Sequence, residues 1–171
     1  MTIKQFGWTF GITSSGWFLF ALDRLVVVTA LPQIGTDLGA GLSGMEWTVN
    51  AYSLAVVALL LTGAALGDRF GRRRMFVVGL AVFTAGSAGA AMAPTVTALA
   101  AARAIQGAGG AIFVPLAMTI LSAASPPARR GTVLGLWGAI GGLGAAAGPL
   151  VGGGLTTLAG WPLIFLSLIH I

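Results

Sequence analysis

The sequence predicts an all-α integral membrane protein that crosses the bilayer with five helices. Of its 171 residues, 57% are hydrophobic and only 8% are charged, and the mean hydropathy is +0.96. Soluble domains carry about 25% charged residues, so a chain this apolar could not cover a surface in water. Its apolar stretches are also long enough to cross a hydrocarbon core of ~30 Å, which takes about 20 helical residues.

Five apolar stretches are separated by short polar or charged segments. The predicted spans cover approximately residues 8–31, 47–66, 75–93, 96–124 and 132–159. The first apolar run continues beyond Asp23 without a clear small-residue cleavage site, so we interpret it as an uncleaved helix. Pro32 is expected to mark its outer end. Trp47, Tyr52 and Trp161 lie near other predicted ends and are expected to be interfacial anchors.

The basic residues predict the orientation. The loops after spans two and four contain six arginines, and Lys4 precedes span one, so seven of the nine basic residues lie on one side. Cytoplasmic loops retain positive charge. We therefore expect a multi-pass protein of the cell (inner) membrane with its N-terminus in the cytoplasm. The cations lie mostly between apolar runs and form no solvated basic face, so nucleic acid is not an expected partner.

The composition argues against an enzyme. The chain has no cysteine, one histidine and four acidic residues, from which no hydrolytic or metal constellation can be assembled. Its Gly-rich runs lack the Lys-Ser/Thr of a phosphate-binding loop, so no nucleotide or other cofactor is expected. The lipid bilayer is the expected environment and partner.

Two charged residues lie within predicted spans. Asp23 is nine residues before Pro32, about 14 Å along a helix, and Arg103 is about 10 Å from the outer start of span four. Intramembrane charges usually face the bundle interior and mark ion or substrate paths. Asp23 and Arg103 could pair, with Gln106 in the same network. A permanent structural pair and a proton-exchanging carboxylate are both open, and we favour the second.

Glycine is unusually frequent in the fifth span, where nine of the twenty residues 135–154 are glycine. At 3.6 residues per turn these glycines form two stripes. One stripe contains Gly131, Gly135, Gly138 and Gly142, and the other contains Gly141, Gly144, Gly148 and Gly152. Small residues allow helices to approach closely, so we expect both stripes to press on neighbours. Pro149 is expected to kink this helix near its outer end.

The spacing of these residues is more specific than their number. Eight residues separate Gly135 from Gly144, and the pattern then continues with Gly148, Pro149, Gly152 and Gly153. This pattern resembles the antiporter motif on the fifth helix of drug:proton antiporters of the major facilitator superfamily. "ALGDRFGRRR" at 65–74 resembles the superfamily's signature between helices two and three. "LDRLVVVTALPQI" at 22–34, "EWTVNAYSLA" at 46–55 and "AARAIQGAGGA" at 101–111 resemble its first, second and fourth helices in the fourteen-helix branch.

This resemblance implies both a fold and a function. Residues 1–165 would form a truncated N-terminal bundle of a multidrug or quaternary-ammonium efflux transporter, completed by the remainder of its own chain. It would export a small amphipathic or cationic substrate in exchange for protons by alternating access, with the proton gradient as its energy source. Asp23, Arg103 and Gln106 would couple protons, and the glycine motif would seal the moving bundle.

The resemblance also assigns a role to the loop after span two. Asp68, Arg69, Gly71, Arg72 and Arg73 would form a charge network that steadies one transport state. The positive-inside rule alone accounts for the arginines. It does not account for Asp68 or Gly71, whereas the switching role that the resemblance implies accounts for all five residues.

The sequence departs from the family pattern at several positions. Leu25 and Val28 replace a usual Thr and Asn, Arg24 directly follows Asp23, and Ala64 stands where the loop signature begins with glycine. The lost polar groups face the expected substrate path, which leaves the substrate open. One alternative is an exporter of a specific metabolite or self-made antibiotic. Another, of a different class, is a short membrane protein that acts as an anchor or assembly partner.

The last six residues differ from the family pattern. After "GWPLIF" the chain reads "LSLIHI", residues 166–171, which matches the translation of a transposase adapter used in DNA library preparation. We expect this segment, including His170, to be a non-native adapter-derived tail. The alternative is the natural start of a sixth span.

Overall fold

The computed structural model describes residues 3–169, apart from the side chains of Ile3 and Ala159. Its helices are α1 (Ile3–Asp37), α2 (Leu42–Phe70), α3 (Arg72–Ala91), α4 (Val96–Ala124), α5 (Arg130–Ala159) and α6 (Pro162–Ser167), with a 3₁₀ turn at Pro127–Arg129. Helices α1 to α5 are long and apolar enough to cross a membrane. His170, named above as part of the expected tail, lies outside the described residues together with Ile171.

The five predicted spans correspond to α1–α5, and α4 has the predicted bounds. Helix α1 continues past Pro32, the expected outer end of the first span, as far as Asp37. Proline removes only its own N–H from the helix, and membrane helices tolerate this loss. Helix α2 begins at Leu42, five residues before the predicted start. Apolar length therefore locates a membrane span but underestimates the helix, whose polar ends stay helical beyond it.

Short turns join the helices, and local chemistry explains two of them. Gly71 alone separates α2 from α3, with φ at +98° in the region that favours glycine. Its N–H donates to the carbonyl of Gly67 at 3.0 Å, which closes α2. Thr95 precedes α4, and its hydroxyl accepts from the N–H of Ala98 at 3.2 Å. This hydrogen bond satisfies one of the free donors at the helix start.

Helix α4 lies at the centre of the bundle. Helices α2 and α3 pack against it, while α1 packs mainly against α5 and also contacts α4. Gly107 of α4 lies against the carbonyl of Tyr52 on α2, and Gly109 lies against the backbone of Phe83 on α3. A Cβ at either glycine would overlap those backbone atoms. The absence of side chains at these points lets three helices meet backbone to backbone.

An aromatic cluster fills the core beside α4. The ring of Phe113 meets Phe20 of α1 at 6.0 Å, and Phe76 and Phe83 of α3 at 6.1 and 5.6 Å between ring centroids. All three contacts are edge-to-face, the arrangement that matches the charge distribution of aromatic rings. This cluster fixes α1 and α3 against α4 and so determines the level at which their polar side chains meet.

Candidate functional site

A buried ion pair links α1 to α4. Nη1 of Arg103 donates to both carboxylate oxygens of Asp23, at 2.8 and 2.7 Å. Asp23 is fully buried and the Arg103 side chain is 1% exposed. The expected pairing of these two residues is therefore confirmed. Their positions at similar depth in antiparallel helices bring them together without any distortion of the helical backbone.

Gln106 extends this pair into a network across three helices. Its carbonyl oxygen accepts from Nη1 of Arg103 at 2.6 Å, and its amide Nε2 donates to Asp23 at 3.1 Å. The same amide donates to the hydroxyl of Ser87 on α3 at 2.8 Å, and Ser87 donates to the carbonyl of Phe83. Each polar group of Gln106 thus has a partner, as burial requires.

Two aromatic rings flank the arginine. The Arg103 guanidinium carbon lies 4.1 Å from the ring centre of Tyr52 and 5.8 Å from that of Phe165. Its Nε also donates to the carbonyl of Thr48 at 3.4 Å. The Tyr52 hydroxyl is buried beside the Asp23 carboxylate but does not reach hydrogen-bond geometry with it. Besides the carboxylate, the guanidinium is thus held by two aromatic rings and a backbone carbonyl.

The interfacial role expected for Tyr52 and Trp161 is wrong. Both side chains are buried, at 2% and 4% exposure, whereas Trp47 is 55% exposed. Tyr52 lies ten residues inside α2 because that helix begins at Leu42, so it is well away from the helix end. Trp161 packs edge-to-face on Phe165 at 6.2 Å.

The network can perform one kind of proton chemistry. Arginine stays protonated in proteins, so Asp23, rather than Arg103, is the member of this ion pair whose charge a proton could remove. Removing one partner of a buried pair typically costs about 3–5 kcal/mol, because the other charge is left unpaired. Protonation of Asp23 has the same electrostatic effect on Arg103. A proton here would therefore weaken the contact between α1 and α4.

A cavity of about 560 Å³ adjoins the buried pair. Helices α1, α2, α4 and α5 all contribute to its walls, and Arg103 and Tyr52 belong to both the network and the cavity lining. Pockets that take drug-sized ligands have volumes of roughly 300–1,000 Å³. The cavity is therefore large enough for a small organic molecule in contact with the ion-pair network.

The predicted switch loop lies at the far end of α2. Arg72 donates to one oxygen of Asp68 through Nε and Nη2, at 3.1 and 2.9 Å. Arg69 lies over the ring of Phe70 at 5.2 Å, and Arg73 is exposed. The loop thus contains one local ion pair on an exposed surface. Its expected network to the other half of a transporter stays a prediction.

One stripe of the α5 glycines packs tightly on α1. A Cβ at Gly144 would overlap the carbonyl of Phe18, and one at Gly148 would lie 2.8 Å from Cβ of Leu25. Gly141 faces the Trp17 indole, and Gly152 faces Thr29. The expectation of close packing is confirmed for this stripe.

The other stripe has no such neighbour. Within residues 3–169, nothing lies within 4 Å of a Cβ placed at any of its four members, Gly131, Gly135, Gly138 and Gly142. Gly153 of the antiporter motif is equally open. Pro149 is exposed within α5, which stays helical past it. Within residues 3–169, the expected close packing is therefore observed for the Gly141–Gly152 stripe and not for the Gly131–Gly142 stripe.

Sequence reasoning did not identify Thr48, Tyr52, Ser87 and Phe165 as parts of the site. Neutral side chains are common in membrane helices, so they give no signal comparable to a buried charge. Gly86, which precedes Ser87, is the one weak sequence signal for it. A Cβ at Gly86 would overlap the backbone of Gln106, so the glycine lets α3 approach α4 at this level. Among the described residues, no group of three or more His, Cys, Asp or Glu could hold a metal ion.

Comparison with known proteins gives a consistent result. Residues 13–170 match the Major Facilitator Superfamily. The multidrug resistance protein Stp of Mycobacterium tuberculosis (strain CDC 1551 / Oshkosh) is 38% identical over 90% of this chain and 29% of its own length. The tetracenomycin C resistance and export protein of Streptomyces glaucescens is 39% identical over 88% of this chain and 28% of its own length.

A third relative is named for the export of cephamycin rather than tetracenomycin C. The cephamycin export protein CmcT of Amycolatopsis lactamdurans is 43% identical over 87% of this chain and 31% of its own length. The chain spans 28–31% of the length of these three curated relatives. Five helices able to cross a membrane and a family match over most of the sequence lead to one conclusion. This chain belongs to the major facilitator superfamily and is a multi-pass membrane protein.

Proposed function

We propose that this chain is the N-terminal part of a proton-coupled efflux transporter that exports amphipathic small molecules by alternating access. The buried network of Asp23, Arg103 and Gln106 beside a cavity of about 560 Å³ is the observation that carries the proposal. In it, the Asp23 carboxylate, which we propose as the proton-binding group, contacts Arg103, a residue that also lines the cavity. Antiport needs this kind of link between proton and substrate.

The proposed cycle uses the network as a two-state element. With Asp23 ionised, Arg103 is held on α1 and the helices stay closed around the pair. When Asp23 takes up a proton, Arg103 loses its partner and the packing of α1 against α4 loosens. Transporter sites form where two repeats meet, so the bare glycine stripe of α5 and the Asp68–Arg72 loop would contact the remainder of the chain.

A second candidate is a dedicated exporter of one metabolite or self-made antibiotic. Two relatives are named for the export of single antibiotics, tetracenomycin C and cephamycin. The departures from the family pattern at Leu25 and Val28 fall on the cavity wall, where they would narrow the range of substrates. Efflux of many unrelated dyes would favour the multidrug candidate, and efflux of one chemical class would favour this one.

The test is neutralisation of Asp23 in the protein expressed from the complete reading frame that contains these residues. Everted membrane vesicles with an imposed pH gradient should accumulate N-phenyl-1-naphthylamine. Asp23→Asn should abolish accumulation. Asp37→Asn is the matched control, because it makes the same change at an exposed position of α1. Undiminished accumulation by Asp23→Asn would overturn the assignment of the proton site.

A folding control accompanies this experiment, because Asp23→Asn leaves Arg103 buried without its partner. The double variant Asp23→Asn/Arg103→Gln removes both charges and should reach the membrane in normal amounts. It should be as inactive as the single variant. Full gradient-driven accumulation by a folded double variant would contradict the proposal as directly as activity of the single one.

The proposed orientation has the N-terminus in the cytoplasm. The chain has no cysteine, so single cysteines can report accessibility. Gly41→Cys would lie in the α1–α2 turn, and Ala128→Cys in the 3₁₀ turn before α5; both positions are exposed. A membrane-impermeant maleimide added to intact cells should label the first and spare the second. The reverse pattern would invert the topology.

A further inference from the structure

We propose that Arg24 is an anion-recognition residue of the cavity, and that the exported molecule carries an acidic group on an apolar body. This inference rests on the proposed efflux function and names its substrate class. It departs from the cationic substrate expected from sequence. The observation that carries it is the Arg24 guanidinium, which is exposed in the cavity wall, in the middle of a membrane-spanning helix, and has no ion-pair partner among residues 3–169.

Arg24 and Asp23 are neighbours in sequence but face different surroundings. Successive residues of a helix are about 100° apart around its axis. Asp23 is therefore buried against α4, while Arg24 is exposed and lines the cavity. The end of α1 at Asp37 is 13 residues away, about 20 Å along the helix. An arginine side chain is too short to reach the membrane surface over that distance.

Arg24 has no ion-pair partner among residues 3–169. The described ion pairs are Asp23 with Arg103 and Asp68 with Arg72. The two remaining acids, Asp37 and Glu46, lie at the other end of α1 and near the start of α2. Unpaired charges inside membranes are costly and typically mark substrate or ion paths. The guanidinium thus lacks an anion, and the cavity beside it has room for one.

The charge balance of the cavity wall favours an anion over a cation. Among residues 3–169, its two charged lining residues are Arg24 and Arg103, and the charge of Arg103 is already neutralised by Asp23. This part of the wall therefore carries one uncompensated positive charge, which would repel a quaternary ammonium group. Guanidinium groups bind carboxylates, sulfonates and phosphates through two parallel hydrogen bonds. This gives Arg24 a specific chemistry as well as a charge.

The rest of the wall predicts the body of the substrate. Leu25 and Val28 are 41% and 46% exposed beside Arg24, and Trp17 also lines the cavity. Phe20 and Tyr52 line it while being buried, and Trp17 stacks with both Phe20 and Trp137. The surface open to a ligand beside Arg24 is therefore apolar. The cavity is thus matched to an anion with an apolar body.

Two fluorescent probes test this prediction because they share one ring system. 8-Anilinonaphthalene-1-sulfonate is an aromatic anion, and N-phenyl-1-naphthylamine is the same molecule without the sulfonate. Binding of each would be titrated on the purified protein from the complete reading frame. Arg24→Gln should weaken binding of the sulfonate by about tenfold or more, the effect expected for a lost charge-assisted contact. Binding of the uncharged probe should change less than about twofold, because it makes no ionic contact.

Two controls separate recognition from general effects. Arg24→Lys keeps the charge but loses the paired hydrogen bonds, so it should weaken sulfonate binding less than Arg24→Gln does. Arg130→Gln removes the same charge at an exposed position outside the cavity and should leave both affinities unchanged. A protein that binds both probes equally well with and without Arg24 would overturn the inference. Equal weakening of both probes would also overturn it, and would indicate an Arg24 ion pair with the remainder of the chain.

Failure of this inference can be distinguished from failure of the proposed function. Gradient-driven movement of the uncharged probe depends on Asp23 but not on Arg24. If that movement persists in Arg24→Gln while sulfonate selectivity is also unchanged, the efflux function stands and the anion site does not. If wild-type protein moves neither probe with the gradient but still binds the sulfonate through Arg24, the anion site stands and the efflux proposal does not.

Discussion

The described part of the chain contains two aspartate–arginine pairs with nearly the same contact distance and opposite surroundings. Asp23 and Arg103 meet at 2.7 Å with side chains 0% and 1% exposed. Asp68 and Arg72 meet at 2.9 Å with side chains 67% and 48% exposed. The first pair joins α1 to α4, which are far apart in sequence. The second pair spans the turn between the consecutive helices α2 and α3. Distance alone would rank them as equals.

Their surroundings decide what each pair can do. Water and salt screen the exposed pair, which is worth about 0–1 kcal/mol and can break and reform easily. The buried pair has no solvent to replace a lost partner, so the loss of one charge costs several times more. A single proton on Asp23 is therefore a large perturbation of the bundle. The exposed Asp68–Arg72 pair suits a contact that must exchange partners during a conformational change.

The largest expected effect comes from breaking the buried pair on its arginine side. Arg103→Gln should lower the free energy of unfolding by about 3–5 kcal/mol, because it leaves the Asp23 carboxylate buried and unpaired. Denaturation of the purified protein in detergent, followed by circular dichroism, would measure this. Asp23→Asn/Arg103→Gln should recover most of the loss. A double variant as unstable as the single one would show that packing around Arg103, rather than charge, holds the site.

An intermediate effect on stability is expected at the α5 glycines, because one stripe is packed on α1 and the other is open. Gly144→Ala should destabilise the protein by about 1–3 kcal/mol, because its Cβ would overlap a backbone carbonyl of α1 that cannot move aside. Gly142→Ala, on the bare stripe of the same helix, should be neutral or stabilising by up to about 1 kcal/mol. Thermal unfolding of both variants in detergent measures the difference.

Equal destabilisation by Gly144→Ala and Gly142→Ala would contradict the claim that the two stripes of α5 have different surroundings. It would mean that the bare stripe is covered as closely as the packed one in the complete protein. The bare stripe would then be a fixed contact of the remainder of the chain, and the two sides of α5 would not differ in function.

The smallest expected effect belongs to the exposed pair. Arg72→Gln should change the free energy of unfolding by less than about 1 kcal/mol, and that change should shrink further in 1 M salt because of screening. The same denaturation experiment at low and high salt measures it. A loss comparable to that of Arg103→Gln, insensitive to salt, would show that Asp68 and Arg72 are buried against another part of the transporter.

The charged part of the site could be predicted from sequence because membrane burial makes charge conspicuous. Asp23 and Arg103 stood out in apolar spans, and helical rise put them at similar depth. Their pairing followed from those two facts. Gln106 followed from its position one turn after Arg103. The major helices were predictable for the same reason, since long apolar stretches in this composition have few alternatives to spanning a membrane.

The neutral part of the site could not be predicted. The sequence predicts an interfacial position for Tyr52, because the apolar pattern begins five residues after the start of α2 at Leu42. Ser87 and Thr48 join the network through a hydroxyl and a backbone carbonyl, which have no distinct sequence pattern. The two glycine stripes of α5 were visible in the spacing. Which of them α1 would cover depends on how the helices are arranged in space, and spacing along one helix does not contain that information.

The most direct test of proton coupling at Asp23 separates driven transport from exchange. The protein from the complete reading frame would be reconstituted in liposomes with N-phenyl-1-naphthylamine. In wild type and Asp37→Asn, an imposed pH gradient should drive net probe movement. Asp23→Asn/Arg103→Gln should lose that movement but still exchange probe across the membrane without a gradient. Net movement in the double variant at the wild-type rate would contradict the account, because the proton would then be carried elsewhere.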